Sequence, residues 1–282
     1  MRKPSYIDAH AHLQFAAYNA DRDDVMARTI AADTWMINIG TKLDTSKHAV
    51  ELAEAAPEGV YAIVGLHPIH TSESMHDKDE LGEEAKPFRS HEERFDIEAY
   101  RALAQSPKVV GIGECGLDFF RPVGDRAAYE ARQRDAFAAQ IELAAELDKP
   151  LMIHCRDAYP ETLAMLREAR QKHGERVRGN FHFFAGTVEQ AKEILDLGFT
   201  MSFTGVVTFA KDYVPLVQFV PLDRMHAETD CPYVTPAPHR GQRNEPIHVR
   251  EVVRAIAEIK GLDEELVRAQ LVENTVSFFG LR

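Results

Sequence analysis

The stretch Ile7-Asp-Ala-His-Ala-His-Leu13 places Asp8, His10 and His12 at every second position near the start of the chain. Successive side chains of an extended strand point to opposite faces, so residues i, i+2 and i+4 share one. One face then carries a carboxylate and two imidazoles, the other Ile7, Ala9, Ala11 and Leu13. Polar groups crowded on one side of a short apolar strand need partners, and a divalent cation is a natural one. Whether they find one depends on what the remaining strands bring to the same place.

Composition narrows the field without naming a function. The chain of 282 residues is 45% hydrophobic and 28% charged, the profile of an ordinary globular protein. No apolar run approaches the roughly 20 residues that span a bilayer, and no signal-peptide core precedes the first strand. Three cysteines without paired spacing fit a reducing compartment, so a cytoplasmic protein is expected, with no membrane contact and no obligate protein partner. The formal net charge of −12 does not attract a polyanion as a whole. Phosphate chemistry would need positive charge concentrated locally, by metal ions or a few arginines.

Short β-rich runs alternate with helix-periodic segments along the chain. Strands are expected at Tyr6–His12, Trp35–Gly40, Val60–Leu66, Val109–Glu114, Leu151–Cys155, Gly179–Phe184, Phe199–Phe203 and Met225–Asp230. Helical stripes fall between them, the clearest over 245–260 with Val249, Val252, Val253, Ile256 and Ile259. Alternation on this scale argues for an α/β fold, a (β/α)8 TIM barrel in one domain. A doubly wound sheet is weakened because no glycine-rich phosphate loop follows any strand. A further helix over 262–280 is expected to pack outside the barrel through Leu266, Leu271 and Phe278. Residues 71–95 hold eight acidic and four basic residues and read as a solvated insertion loop or a lid.

Other strands also end in metal-ligand residues: Glu114 on the fourth, His154 on the fifth, His182 on the sixth and Asp230 on the eighth. A barrel converges such ends on one pocket. With His10 and His12 they make six candidate ligands, too many for one tetrahedral ion but suited to two ions sharing a carboxylate. The expected division gives His10, His12 and Asp230 to one ion, His154 and His182 to the other, with Glu114 bridging. Two divalent ions (Zn²⁺, Mn²⁺ or Mg²⁺) would activate a water, and Asp230 would orient it or take its proton. Each cysteine directly follows a proposed ligand, so strand parity turns it outward, as a small buried hydrophobe. His67, Arg156, Arg240 and Arg243 are candidate substrate contacts, while Asp8 and Asp118 are candidate acceptors holding ligand imidazoles in place.

These pieces, "IDAHAHL", "GLHP", "GECGLDFF", "IHCRDA", "FHFFAG" and "ETDCPYVTPAPHRGQRNEP", run in order from residue 7 to about 246. Together they resemble the TatD-type metal-dependent deoxyribonuclease family, within the amidohydrolase-like barrels. The resemblance puts the ligands on His10, His12, Glu114, His154, His182 and Asp230, and it implies divalent-metal hydrolysis of DNA phosphodiester bonds. Two departures are visible: the acidic segment 71–95 is longer than the family's usual connection, and Phe183 stands where a cysteine is usual. The expected activity is that of a deoxyribonuclease, 3′–5′ exonuclease-like, acting on DNA or a small phosphoester. The alternative keeps the same two-metal site but hydrolyses a C–O or C–N bond, such as a lactone, an amide or an aminoacyl ester of tRNA.

Overall fold

The short apolar runs become strands because they are rich in β-branched and aromatic residues and bounded by glycine, proline or aspartate. In the computed structural model, which describes residues 3–76, 88–90 and 92–282, eight parallel strands follow one another in chain order. They are β1 (Tyr6–Ala11), β2 (Thr34–Ile39), β3 (Val60–Val64), β4 (Val109–Asp118), β5 (Leu151–Arg156), β6 (Gly179–Phe181), β7 (Thr200–Phe203) and β8 (Met225–Ala227). The last meets the first just beyond its end. Asp230 N donates to His10 O at 2.9 Å and His12 N to Cys231 O at 3.0 Å, so the sheet nearly closes into the expected (β/α)8 barrel.

Parallel neighbours need crossovers, and helices supply them. These are α1 (Arg22–Ala31), α2 (Leu43–Ala55), α3 (Ile97–Leu103), α4 (Arg126–Leu147), α5 (Tyr159–His173), α6 (Val188–Asp196) and α7 (Val214–Phe219). Two more, α8 (Val249–Lys260) and α9 (Glu264–Phe279), follow the eighth strand. Local sequence sets their ends. Thr187 and Gln190 close a capping box at the start of α6, and Gly261 ends α8 in the left-handed conformation.

Several boundaries differ from the sequence expectation. β4 runs on to Asp118, with a register shift against β5 between Ile112 and Cys115. β6 stops at Phe181 and β8 at Ala227, so His182 and Asp230 lie in the turns after their strands. Both turns bend through left-handed residues, Phe183 at φ 43° and Asp230 itself at φ 55°. The last helix departs from expectation at Leu266. Leu266 is exposed, and the buried stripe is Val267, Leu271, Val272, Thr275 and Phe279. Val272, Phe279 and Leu281 pack with Ile7, Trp35, Tyr61 and Val110, residues near the strand starts, so α9 covers the N-terminal end of the barrel from outside. Within the acidic stretch 71–95, residues 77–87 and 91 lie outside the described residues. On either side of 77–87, Ser74–His76 pairs antiparallel with Phe88–Ser90.

Buried polar side chains fasten the strand ends that matter most. On α4, Gln140 brackets Leu66, accepting from its N–H at 2.8 Å and donating to its carbonyl at 3.0 Å. One face and seven residues away, Gln133 brackets Asp118 in the same way, at 2.8 and 2.9 Å. A polar ladder also runs through the barrel. Thr275 of α9 meets His226 Nδ1 at 2.9 Å, and His226 Nε2 meets Thr200 Oγ1 at 3.1 Å. Thr200 Oγ1 donates to Asn180, Asn180 Nδ2 to Ser202 Oγ, and Ser202 Oγ to Glu228 Oε2. With His226 held between two hydroxyls, burial pushes its pKa down to about 3, so it stays neutral.

The run Gly113-Glu-Cys-Gly116 lets β4 press against β5. At Gly116, φ is +134° and a Cβ would sit 2.0 Å from the carbonyl oxygen of His154. No side chain fits there. Gly116→Ala is expected to lower stability by about 3 kcal/mol, read as a lower urea midpoint at unchanged slope. An unchanged midpoint would show that β4 and β5 part freely at this point.

Candidate metal centre

Glu114 is the centre of the cavity at the C-terminal end of the barrel. The register shift in β4 carries it inward, and its N–H donates to Gly40 O, just past β2, at 2.9 Å. β4 thus leans over the end of β3 toward the β1 side. One carboxylate oxygen, Oε2, lies 3.4 Å from His10 Nε2 and 3.9 Å from His12 Nε2. The other, Oε1, lies 2.9 Å from His182 Nε2, 3.2 Å from His154 Nδ1 and 3.2 Å from His67 Nε2. Asp230 Oδ1 completes the first group, 3.3 Å from His12 Nε2 and 3.7 Å from His10 Nε2. All six residues named from the strand ends meet in one place.

Outer partners decide which ring nitrogens face inward. His12 Nδ1–H donates to Ile39 O at 2.8 Å, since a carbonyl can only accept. His154 Nε2 lies 2.9 Å from Asp118 Oδ2, and His182 Nδ1 lies 3.4 Å from Glu228 Oε1. In the neutral rings, each proton on the outer nitrogen leaves the inner one bare. His12 Nε2 then stands 3.0 Å from His10 Nε2, and the inner nitrogens of His154 and His182 face Glu114. Bare nitrogens repel each other and a carboxylate, so protons or a cation must lie among them. Three groups have ligand atoms close enough to share an ion: His10 with His182 and Asp230, His10 with His12 and Glu114, and His67 with Glu114 and His154.

Charge in the cavity follows the same geometry. Burial alone would raise the Glu114 pKa, but the imidazoles of His67, His182 and His10 hold it well below the usual carboxylate range. Asp230 is also lowered: burial opposes this, and His12, His10 and His182 outweigh it. Burial pushes His10 down. It pulls His182 down as well, yet Glu114 and Glu228 raise that ring well above its ordinary value. Two ionised carboxylates among basic rings form a site ready for a divalent cation.

The other candidates separate into groups. Asp118 touches His154 as expected. Asp8 sits lower on β1, where it accepts from Thr229 N at 2.8 Å and Thr229 Oγ1 at 2.5 Å. It ties β1 to the residue before Asp230, positioning that carboxylate through the backbone rather than through an imidazole. His67 accepts from Ile69 N through Nδ1 at 3.2 Å, so in the neutral ring its Nε2 carries a proton toward Glu114. Arg156 lies over the Phe120 ring and Arg240 over Phe209. Arg243 departs from expectation. Its fork is closed by Asp21, at 2.8 and 2.6 Å, and by Ala17 O, and so faces α1 instead of the cavity. The cysteines stay out of the site: Cys115 contacts Met152 O, Cys155 meets Thr162 of α5, and Cys231 is buried.

Sequence reading missed Glu228. The signal was present, because His226, Glu228 and Asp230 alternate in sequence at the end of the eighth strand as Asp8, His10 and His12 do in the first. Phe15, stacked on His12 at 4.4 Å and 9°, and the clamps of Gln133 and Gln140 were also missed. None of these has a sequence spacing that marks it.

Buried histidines and carboxylates converging at the C-terminal end of a (β/α)8 barrel define a class, the metal-dependent hydrolases, and the relatives carry that name. The chain is 33% identical over 279 residues to the "Uncharacterized metal-dependent hydrolase YcfH" of Escherichia coli K12, covering 97% of this chain and 95% of YcfH. It is 33% identical over 283 residues to the "3′-5′ ssDNA/RNA exonuclease TatD" of Citrobacter koseri, covering 97% and 98%. The family model described as TatD related DNase matches residues 7–280, and the chain belongs to that family. In fold it is similar to the crystal structure of YJJV, a TatD homolog of Escherichia coli K12, with a TM-score of 0.81, 24% identity and 99% of each chain covered.

Carboxylates that orient ligand imidazoles tune metal affinity by about 10- to 100-fold. Glu228→Gln is therefore expected to weaken divalent-metal binding by about tenfold or more, measured by competition with a chromophoric chelator. Wild-type affinity in the variant would show that Glu228 does not set the orientation of His182.

Proposed function

We propose that the chain is a two-metal phosphodiesterase that removes nucleotides from the 3′ end of single-stranded nucleic acid. The observation that carries this reading is the division of Glu114, whose two oxygens face different sets of histidines. His10, His12 and Asp230 are assigned to one divalent ion, His154 and His182 to the second, and Glu114 to both. Zn²⁺, Mn²⁺ and Mg²⁺ all suit such a nitrogen and oxygen set. When bound, the ions supply an activated water and neutralise charge on the attacking and leaving oxygens.

The chain's own residues supply position and protons. Asp230, held ionised and beside His12, accepts the proton of the attacking water at a carboxylate oxygen. His67 Nε2–H lies beside Glu114 Oε1, where it can donate to a phosphoryl oxygen. Arg156 and Arg240 bring positive charge to the mouth of an otherwise acidic chain, whereas Arg243 is engaged by Asp21. Similarity to the 3′-5′ ssDNA/RNA exonuclease TatD of Citrobacter koseri favours a 3′–5′ direction and a single strand. Free cysteines are in keeping with a reducing compartment such as the cytoplasm. Among the described residues, no helix is long and apolar enough to cross a membrane.

Metal-reconstituted protein is expected to release mononucleotides from a 5′-labelled single-stranded oligonucleotide and to lose that activity with chelator. Asp230→Asn should lower kcat by about 10²- to 10⁴-fold while elemental analysis still finds metal. Turnover of lactones or aminoacyl esters, without nucleotide release, would replace this reading with carbonyl hydrolysis at the same site. Glu114→Ala should reduce the metal content from two ions to one or none per chain. Two ions retained in that variant would overturn the shared-carboxylate assignment.

A further inference from the structure

The proposed reaction leaves open how a chain of net charge −12 holds a polyanion. Affinity for a single strand usually comes from a basic groove together with aromatic rings on which bases stack. The chain as a whole is acidic, and Arg243 is closed off by Asp21. The mouth of the barrel nevertheless carries two exposed phenylalanines, each paired with an arginine. Phe120, 37% exposed, follows β4, and the guanidinium of Arg156 lies 3.5 Å from its ring centre, with Arg121 at 5.2 Å. Phe209, 46% exposed, lies in the loop after β7, with the guanidinium of Arg240 at 4.3 Å.

Both rings are held in place by what surrounds them. Phe120 N donates to Asp118 Oδ1 at 3.0 Å, and the other oxygen of that carboxylate holds His154. The backbone of Phe119 also donates to Arg156 O at 2.9 Å. The ring is therefore two residues and one hydrogen bond from a candidate ligand. Across the mouth, Thr208 Oγ1 accepts from Ala237 N at 2.8 Å, and Arg240 Nη1 donates to Thr235 O at 2.9 Å. The first bond fixes the Phe209 loop to the loop that follows Asp230, and the second holds Arg240 within that loop. Large apolar rings kept in water beside a polar cavity lose burial energy unless something covers them.

We propose that Phe120 with Arg156 and Phe209 with Arg240 are two stacking platforms that take bases of the strand on either side of the scissile phosphate. This rests on the nuclease reading above and deepens it. A base has a π-face whatever its identity, so the platforms bind without sequence preference. A guanidinium laid on a ring extends the same surface and keeps its N–H edge for a neighbouring phosphate. Recognition then depends on unpaired bases, since a base inside a duplex cannot stack on a protein ring. Two arginines neutralise few phosphates, so the affinity should fall only shallowly with salt.

The test compares a thymidine oligonucleotide with a base-free strand of abasic deoxyribose phosphates, using metal-loaded protein. Wild type is expected to show a lower KM for the strand with bases. Phe120→Ala and Phe209→Ala should each raise KM for that strand by about five- to a hundredfold and narrow the difference from the base-free strand. Phe120→Trp and Phe209→Trp should restore it. Phe219→Ala serves as control, because that exposed ring ends α7 at the opposite end of the barrel. Equal KM for the two strands in wild type, or an unchanged KM in both alanine variants, would overturn the platforms and leave the nuclease reading standing. Cleavage of neither strand by wild type would overturn that reading and the platforms with it.

Discussion

A carboxylate buried among five imidazoles is the constraint on which the rest of the molecule depends. Glu114 ionises in a place where burial opposes ionisation, because His67, His182 and His10 surround it. Its two oxygens face different partners, and that division is possible only because β4 shifts register and its backbone reaches across to Gly40. The glycines flanking Glu114 allow the close passage beside β5. Backbone geometry, more than side-chain choice, puts one acid within reach of both halves of the site.

Around that acid, orientation is set by groups that never face the cavity centre. Ile39 O and Asp118 each take the outer nitrogen of one ring and turn the inner nitrogen toward Glu114 or its neighbours, and the Glu228 carboxylate faces the outer nitrogen of His182 across 3.4 Å. The Nδ1 atoms of His10 and His182 are both buried without a hydrogen-bond partner, and these two rings are held by stacking on each other at 4.0 Å. The glutamines of α4 act one step further out, on the backbone of Leu66 and Asp118. Rigid support at this depth suits chemistry that needs atoms fixed to fractions of an ångström.

The barrel and the six converging residues could be read from sequence because strand parity is a local property. Alternate positions share a face, and short strands end near the cavity. Asp8, His10 and His12 needed nothing else. What could not be read depends on distant register. Arg243 looks like a pocket arginine until α1 places Asp21, 222 positions away in sequence, against its fork. Leu266 fits the apolar pattern of α9 beside Leu271, yet the helix turns Val267 to the barrel in its place. Glu228 is legible by the same alternation that marks the first strand.

The ladder from Thr275 through His226, Thr200, Asn180 and Ser202 to Glu228 makes the floor and the mouth of the barrel evolve as one. A rung replaced by an apolar residue strands the hydroxyl or amide next to it, deep in the protein. Drift at these positions must therefore proceed in matched sets, whereas the isoleucines and valines of the same interior can be exchanged one at a time.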